Sequence, residues 1–257
     1  MDLSEAFALG PRERLAIVGG GGKTTILFRL AAEAVAAGRT AVVGGTTRFT
    51  PPRAGYAPPL LIVGEHDDPR PAVAAALRES PARTIATGKG DKGRWLPLSA
   101  AQAEALAALP EIALLALEAD GSRNRPFKAP GEGEPVIPDA MTVVLAVVGL
   151  DVLGQPLDEA TVHRPERVAA LSGLAPGERI TAEAVARVLL HSEGGRKGVP
   201  AAARWLPVLN KAEPGRLAPA ERIAELLLAG GAEAVVLTTA AASDPAVAVL
   251  RPGHARP

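Results

Sequence analysis

The stretch RLAIVGGGGKTTILFRL, residues 14–30, sets four glycines between an apolar run and a helical pattern. Glycine is roughly 0.5–1 kcal/mol worse than alanine inside regular structure, so Gly19, Gly20, Gly21 and Gly22 are read as a turn that alanine could not make. Such a turn lets successive backbone N–H groups converge on an anion, with the positive end of the following helix behind them. Lys23 adds a charge for outer phosphates, Thr24 stands where a hydroxyl ligates Mg²⁺, and Thr25 completes the head of the helix. The chemistry indicated is phosphate binding. Its spacing is G-x-x-G-K-T-T. The longer G-x-x-x-x-G-K-[ST] loop would need a glycine at Ile17, and the dinucleotide pattern fails at Thr24, which sets hydride transfer aside.

Two further segments carry chemistry-bearing residues. IALLALEADG is an apolar run ending in acids, which puts Asp120 near a metal, usually through water, and makes Glu118 a base or water-positioner. VLNKAE supplies Asn210, Lys211 and Glu213 in the order of an Asn-Lys-x-Asp guanine reader, with glutamate one methylene longer than the expected aspartate. ATP and GTP therefore both stay open. Thr46 and Thr47 follow the second apolar run, where a switch threonine would stand. Arg123, Arg125 and Lys128 are placed to neutralise phosphate or hold an anionic substrate, whereas His163, beside Arg164 in the 151–200 segment, reads as structural.

These residues need a scaffold that brings strand ends together. Apolar runs RLAIV, TAVVG, LLIVG, RTIATG, IALLALE, TVVLAVVG, WLPVLN and AVVLTT alternate with alanine-rich helical patterns, the first of which, KTTILFRLAAEAVAAG, stops at Gly38. The expected fold is α/β: a mostly parallel, doubly wound sheet, P-loop NTPase-like, with ligands at the carboxyl ends of its strands. Residues 1–150 and 201–257 form the expected nucleotide-binding core. Residues 151–200 show helical pattern without a convincing strand and read as a helical insertion or subdomain. The tracts 46–59 and 118–138 are too rich in proline and glycine to be helix, and long loops of this kind are commonly functional.

Composition bounds the partners. The 28 basic and 28 acidic residues cancel, so nothing favours nucleic acid or an anionic membrane, and any electrostatic site must be local. The chain has no cysteine, which removes disulfides, thiolate metal sites and a persulfide carrier. No secretory signal and no run of about 18 apolar residues is present, so a cytoplasmic location is expected. Arginine outnumbers lysine 22 to 6, which makes the lysines worth locating: Lys23, Lys128, Lys197 and Lys211 fall in loops marked by Gly, Pro or Asn.

Taken together, VGGGGKTT, GGTTRFTPP, EADGSRNRPFKAPGEGEPVIP, VVGLDVLGQPLDEATVHRPE and VLNKAE resemble the YqeC family, described as selenium cofactor biosynthesis or selenium-dependent hydroxylase accessory proteins. The 118–138 stretch is the most specific of these. The resemblance implies a P-loop-like protein that helps to mature selenium-dependent molybdenum hydroxylases, with such a hydroxylase or its cofactor-handling proteins as partners. Two positions depart from the pattern: Gly44 and Gly45 stand where a threonine run would begin, and Glu213 where aspartate is usual. The readings that follow are a Mg²⁺-dependent ATP- or GTP-binding accessory protein that hydrolyses nucleotide or transfers phosphoryl groups, a small-molecule kinase or ATP-dependent ligase acting on a cofactor precursor, and a nucleotide-gated binding module with negligible turnover.

Overall fold

A computed structural model of the chain describes residues 1–52 and 56–253; the middle of the 46–59 tract, residues 53–55, lies outside them. In chain order the strands are β1 (Glu13–Gly19), β2 (Ala41–Gly45), β3 (Leu60–Ile62), β4 (Ala82–Ala86), β5 (Leu114–Glu118), β6 (Phe127–Lys128), β7 (Val143–Gly149), β8 (Val162–His163), β9 (Arg204–Asn210), β10 (Val235–Thr238) and β11 (Ala246–Leu250). The helices are α1 (Leu3–Ala6), α2 (Lys23–Ala36), α3 (Arg70–Glu79), α4 (Ala100–Ala108), α5 (Pro165–Ser172), α6 (Ala182–Leu190) and α7 (Leu217–Ala229). All eight apolar runs form strands.

One nine-stranded sheet has the order β11-β10-β9-β7-β1-β5-β2-β4-β3, parallel except for β11, which runs antiparallel to β10. Its inner strands are continuous apolar runs because both faces are covered. Along β1, Leu15 and Ile17 face a core shared with Phe7, Ile26, Leu27 and Leu30 of the α1 and α2 side. Ala16 and Val18 face the opposite core, which holds Leu106, Val185, Val188 and Ile223 from α4, α6 and α7. The period of two thus places β1 at the centre with helices on both sides. The α/β class and the mostly parallel sheet are as expected.

The helix after the glycines ends at Ala36, and Gly38 follows in the left-handed conformation (φ 70). The Arg39 N–H reaches Ala34 O (2.8 Å) and the Gly38 N–H reaches Val35 O (2.9 Å), which satisfies carbonyls left open by the last turn.

Residues 151–200 form the long crossover between β7 and β9, which pair along their whole length from Val143↔Arg204 to Gly149↔Asn210. The segment carries the helices α5 and α6 within largely irregular backbone, and it also carries β8. That strand pairs with β6 to join the crossover to the 118–138 tract. Among the described residues no helix is long and apolar enough to cross a membrane.

Candidate functional site

The glycine turn is a closed, wedged bend. Gly19, Gly21 and Gly22 have φ of 94, 80 and 136, which side-chain-bearing residues rarely adopt. A β-carbon on Gly21 would also lie 2.3 Å from Gly149 N, and one on Gly20 would lie 2.5 Å from Arg125 O. The loop backbone is therefore pressed between the end of β7 and the 125–126 segment.

Two of its N–H groups are used internally: Gly19 donates to Asp120 Oδ2 (2.9 Å) and Gly20 to Val147 O (2.9 Å). The N–H groups of Gly21, Gly22, Lys23, Thr24 and Thr25 have no acceptor among the described residues. They head the 14-residue helix α2, whose aligned peptides add positive potential at that end. Thr25 itself is exposed, and Thr24 is half-buried.

β5 lies beside β1 with Glu118 in register with Ile17, and Ala119 N–H still bonds to Ile17 O (3.0 Å). Continuing that line brings Asp120 level with Gly19. The hydroxyl of Thr24 donates to Glu118 Oε1 (2.6 Å), and Asp120 pairs instead with Lys23 Nζ (3.2 Å) and Lys128 Nζ (3.0 Å). Sequence spacing had joined Thr24 with Asp120 as the metal pair; register gives the hydroxyl to Glu118 and sets Asp120 under the loop. Burial pushes the Glu118 carboxyl up, opposed by the nearby Lys23 charge and the Thr24 hydrogen bond.

Lys23 is buried and also donates to Gly19 O (2.7 Å), so its ammonium is held at the loop. Lys128 is fully buried and donates to Gly121 O and Glu134 Oε2, each at 2.7 Å. Arg164 Nη1 reaches the same Glu134 oxygen (2.7 Å). A chain of alternating charge thus runs Lys23, Asp120, Lys128, Glu134, Arg164. Buried ions persist where each has partners, and removing one leaves the others uncompensated. Glu134 was not singled out from sequence. Its only signal there is an acid inside a Gly-Pro loop.

Asn210 is buried at the end of β9. Its Nδ2 donates to Gly21 O (2.7 Å), while its Oδ1 accepts from the Thr238 hydroxyl and the Ala240 N–H, each at 3.0 Å. It braces the glycine loop against β10, with Thr238 a partner that the motif did not reveal. Lys211, left-handed at φ 64, pairs with Asp151. Glu213 is exposed and bound to Arg216 (2.6 Å), so reading a guanine edge requires it to give up that partner. Thr46 donates to Val136 O (2.6 Å), which pins the 118–138 tract to the end of β2. Arg125 donates to Glu159 O (2.7 Å).

A family model described as YqeC protein matches residues 15–166, which take in the glycine loop, both acids, Lys128, Glu134 and Arg164. The uncharacterized protein YqeC of Escherichia coli (strain K12) is 32% identical over 206 residues, 79% of this chain and 78% of that protein. No solved structure matches.

Proposed function

The chain belongs to the YqeC family, and on that footing we propose that it is a Mg²⁺-dependent accessory protein that binds ATP or GTP in the maturation of selenium-dependent molybdenum hydroxylases. The observation that carries the nucleotide part is the run of N–H groups without acceptors, Gly21 to Thr25, at the head of α2 beside Lys23. The donors beside them suit the metal. The Thr24 hydroxyl and Glu118 carboxylate are hard oxygen ligands, and Mg²⁺ ordinarily fills its remaining positions with phosphate oxygens and water. Among the described residues no cluster of three His, Cys, Asp or Glu side chains competes as a dedicated metal cage. Neutralisation of outer-phosphate charge is what Mg²⁺ supplies when bound.

In this reading the loop N–H groups orient the phosphates, Lys23 supplies a buried charge beside the loop, and Asp120 and Asn210 hold the loop's shape from beneath. With no cysteine in the chain, selenium is not carried as a protein persulfide. The contribution to hydroxylase maturation is nucleotide-dependent activation or handover. That part rests on the family resemblance of the motif set.

Calorimetry with ATP, GTP and slowly hydrolysed analogues, with and without Mg²⁺, tests the reading. Saturable Mg²⁺-dependent binding that Lys23→Ala abolishes is expected. Undiminished affinity in that variant, or no binding of either nucleotide by the native chain, sinks it. Capture of a selenium-dependent hydroxylase should depend on nucleotide state, and capture that ignores it removes the gating role.

A further inference from the structure

Next to the glycine loop, β6 and β8 assemble a second group of charged side chains. Lys128 and His163 are register partners in that parallel pair, and register partners project from the same face. Arg164 follows in the left-handed region (φ 62) and turns its guanidinium onto Glu134. Directly before β6 in the chain comes a tight turn closed by the Arg125 N–H to Ser122 O (2.9 Å), with Arg123 and Asn124 both left-handed (φ 50 and 62). That mirror-image turn is normally made with glycine or asparagine. An arginine there costs about 1–2 kcal/mol.

The Arg123 guanidinium is exposed and has no acceptor among the described residues, and neither ring nitrogen of half-buried His163 has a partner. Three cations, Arg164, Lys128 and Arg123, act on His163 against Glu134 alone. With Asp120, the other partner of Lys128, counted beside Glu134, one positive charge is in excess among these groups, in a chain whose formal net charge is zero. The turn is in direct contact with the nucleotide seat, since Arg125 O closes over Gly20.

We propose that Arg123, His163 and Arg164 form a subsite for the phosphomonoester group of a second substrate, adjacent to the glycine loop. Its role as an acceptor site rests on the nucleotide reading; the binding of the anion does not. Two guanidinium groups suit phosphate oxygens in geometry as well as charge. Burial, with Arg164, Lys128 and Arg123, holds the imidazole down at about 4, so the ring is neutral at neutral pH. An incoming phosphate anion, monoanionic through most of the acid range, offsets those cations and raises the ring's proton affinity.

The test is proton NMR of the His163 ring in the full chain, assigned with His163→Gln, titrated between about pH 4 and 7 with inorganic phosphate at constant ionic strength. Saturable movement of the His163 midpoint upward by about one to three pH units is expected. Arg123→Gln should weaken phosphate binding about tenfold while leaving the melting temperature near that of the native chain. The response should survive a saturating Mg²⁺–nucleotide analogue. No movement, or equal movement with acetate, overturns the subsite. Loss of the response once nucleotide is bound also overturns it, because the anion would then be the nucleotide's own outer phosphate. A phosphate response in a chain that binds no nucleotide supports the subsite and defeats the nucleotide reading.

Discussion

Glu134→Gln isolates the charge that fastens the 118–138 tract to the crossover. Burial pushes this carboxyl up, but hydrogen bonds from Arg164 and Lys128 outweigh burial and hold it at about 2, against an ordinary value of 4.5. A carboxyl lowered on folding binds fewer protons in the native state, so its stabilisation is complete above 4.5 and is lost as pH falls toward 2. Moving it that far corresponds to about 3 kcal/mol. The side chain is only 22% exposed, so solvent screens little of this. Glutamine keeps one acceptor for two donors, and Lys128 retains Asp120 and Gly121 O. A loss of about 2–3 kcal/mol at pH 7 is therefore expected. Urea unfolding followed by the fluorescence of Trp95 and Trp205 measures it. The gap between native and variant should hold from about pH 7 to 5 and then close through the acid window. A gap under about 0.5 kcal/mol at neutral pH, or one that is flat down to about pH 3, refutes the assignment.

Three other outcomes follow from the same contacts. Thr24→Val removes the hydroxyl that meets Glu118, so Mg²⁺-dependent nucleotide affinity should fall about tenfold or more while Mg²⁺-free affinity stays unchanged, as read by calorimetry. Asn210→Ala strips partners from Gly21 O, Thr238 Oγ1 and Ala240 N, which should cost about 2–3 kcal/mol in denaturant melts. Gly21→Ala forces a β-carbon to 2.3 Å from Gly149 N at φ 80, and should lower stability by at least about 2 kcal/mol; an unchanged thermal midpoint would contradict the wedged loop.

The sheet was legible because a parallel strand buried on both faces is written as an unbroken apolar run; all eight apolar runs became strands, with LLIVG forming the partly exposed edge β3. The short antiparallel edge β11 was missed. Its AVAVL segment buries Ala246 but exposes Val247, a weak signature beside the inner strands. The two-residue β6 and β8 have no local signature, since only tertiary pairing defines them. The glycine turn could be read from sequence because its demand is local to the backbone. Asp120's role could not: its partners Lys23 and Lys128 come from α2 and β6, and which of them it meets depends on register rather than spacing. Asn210, Lys211 and Glu213 looked like one reader, yet their side chains diverge to Gly21, Asp151 and Arg216.

Because Gly149 and Arg125 grip the glycine turn from both sides, its entropy is already spent before any guest arrives. Encounter and docking should merge into a single kinetic phase, with observed rates rising linearly in guest concentration and no slow isomerisation behind them.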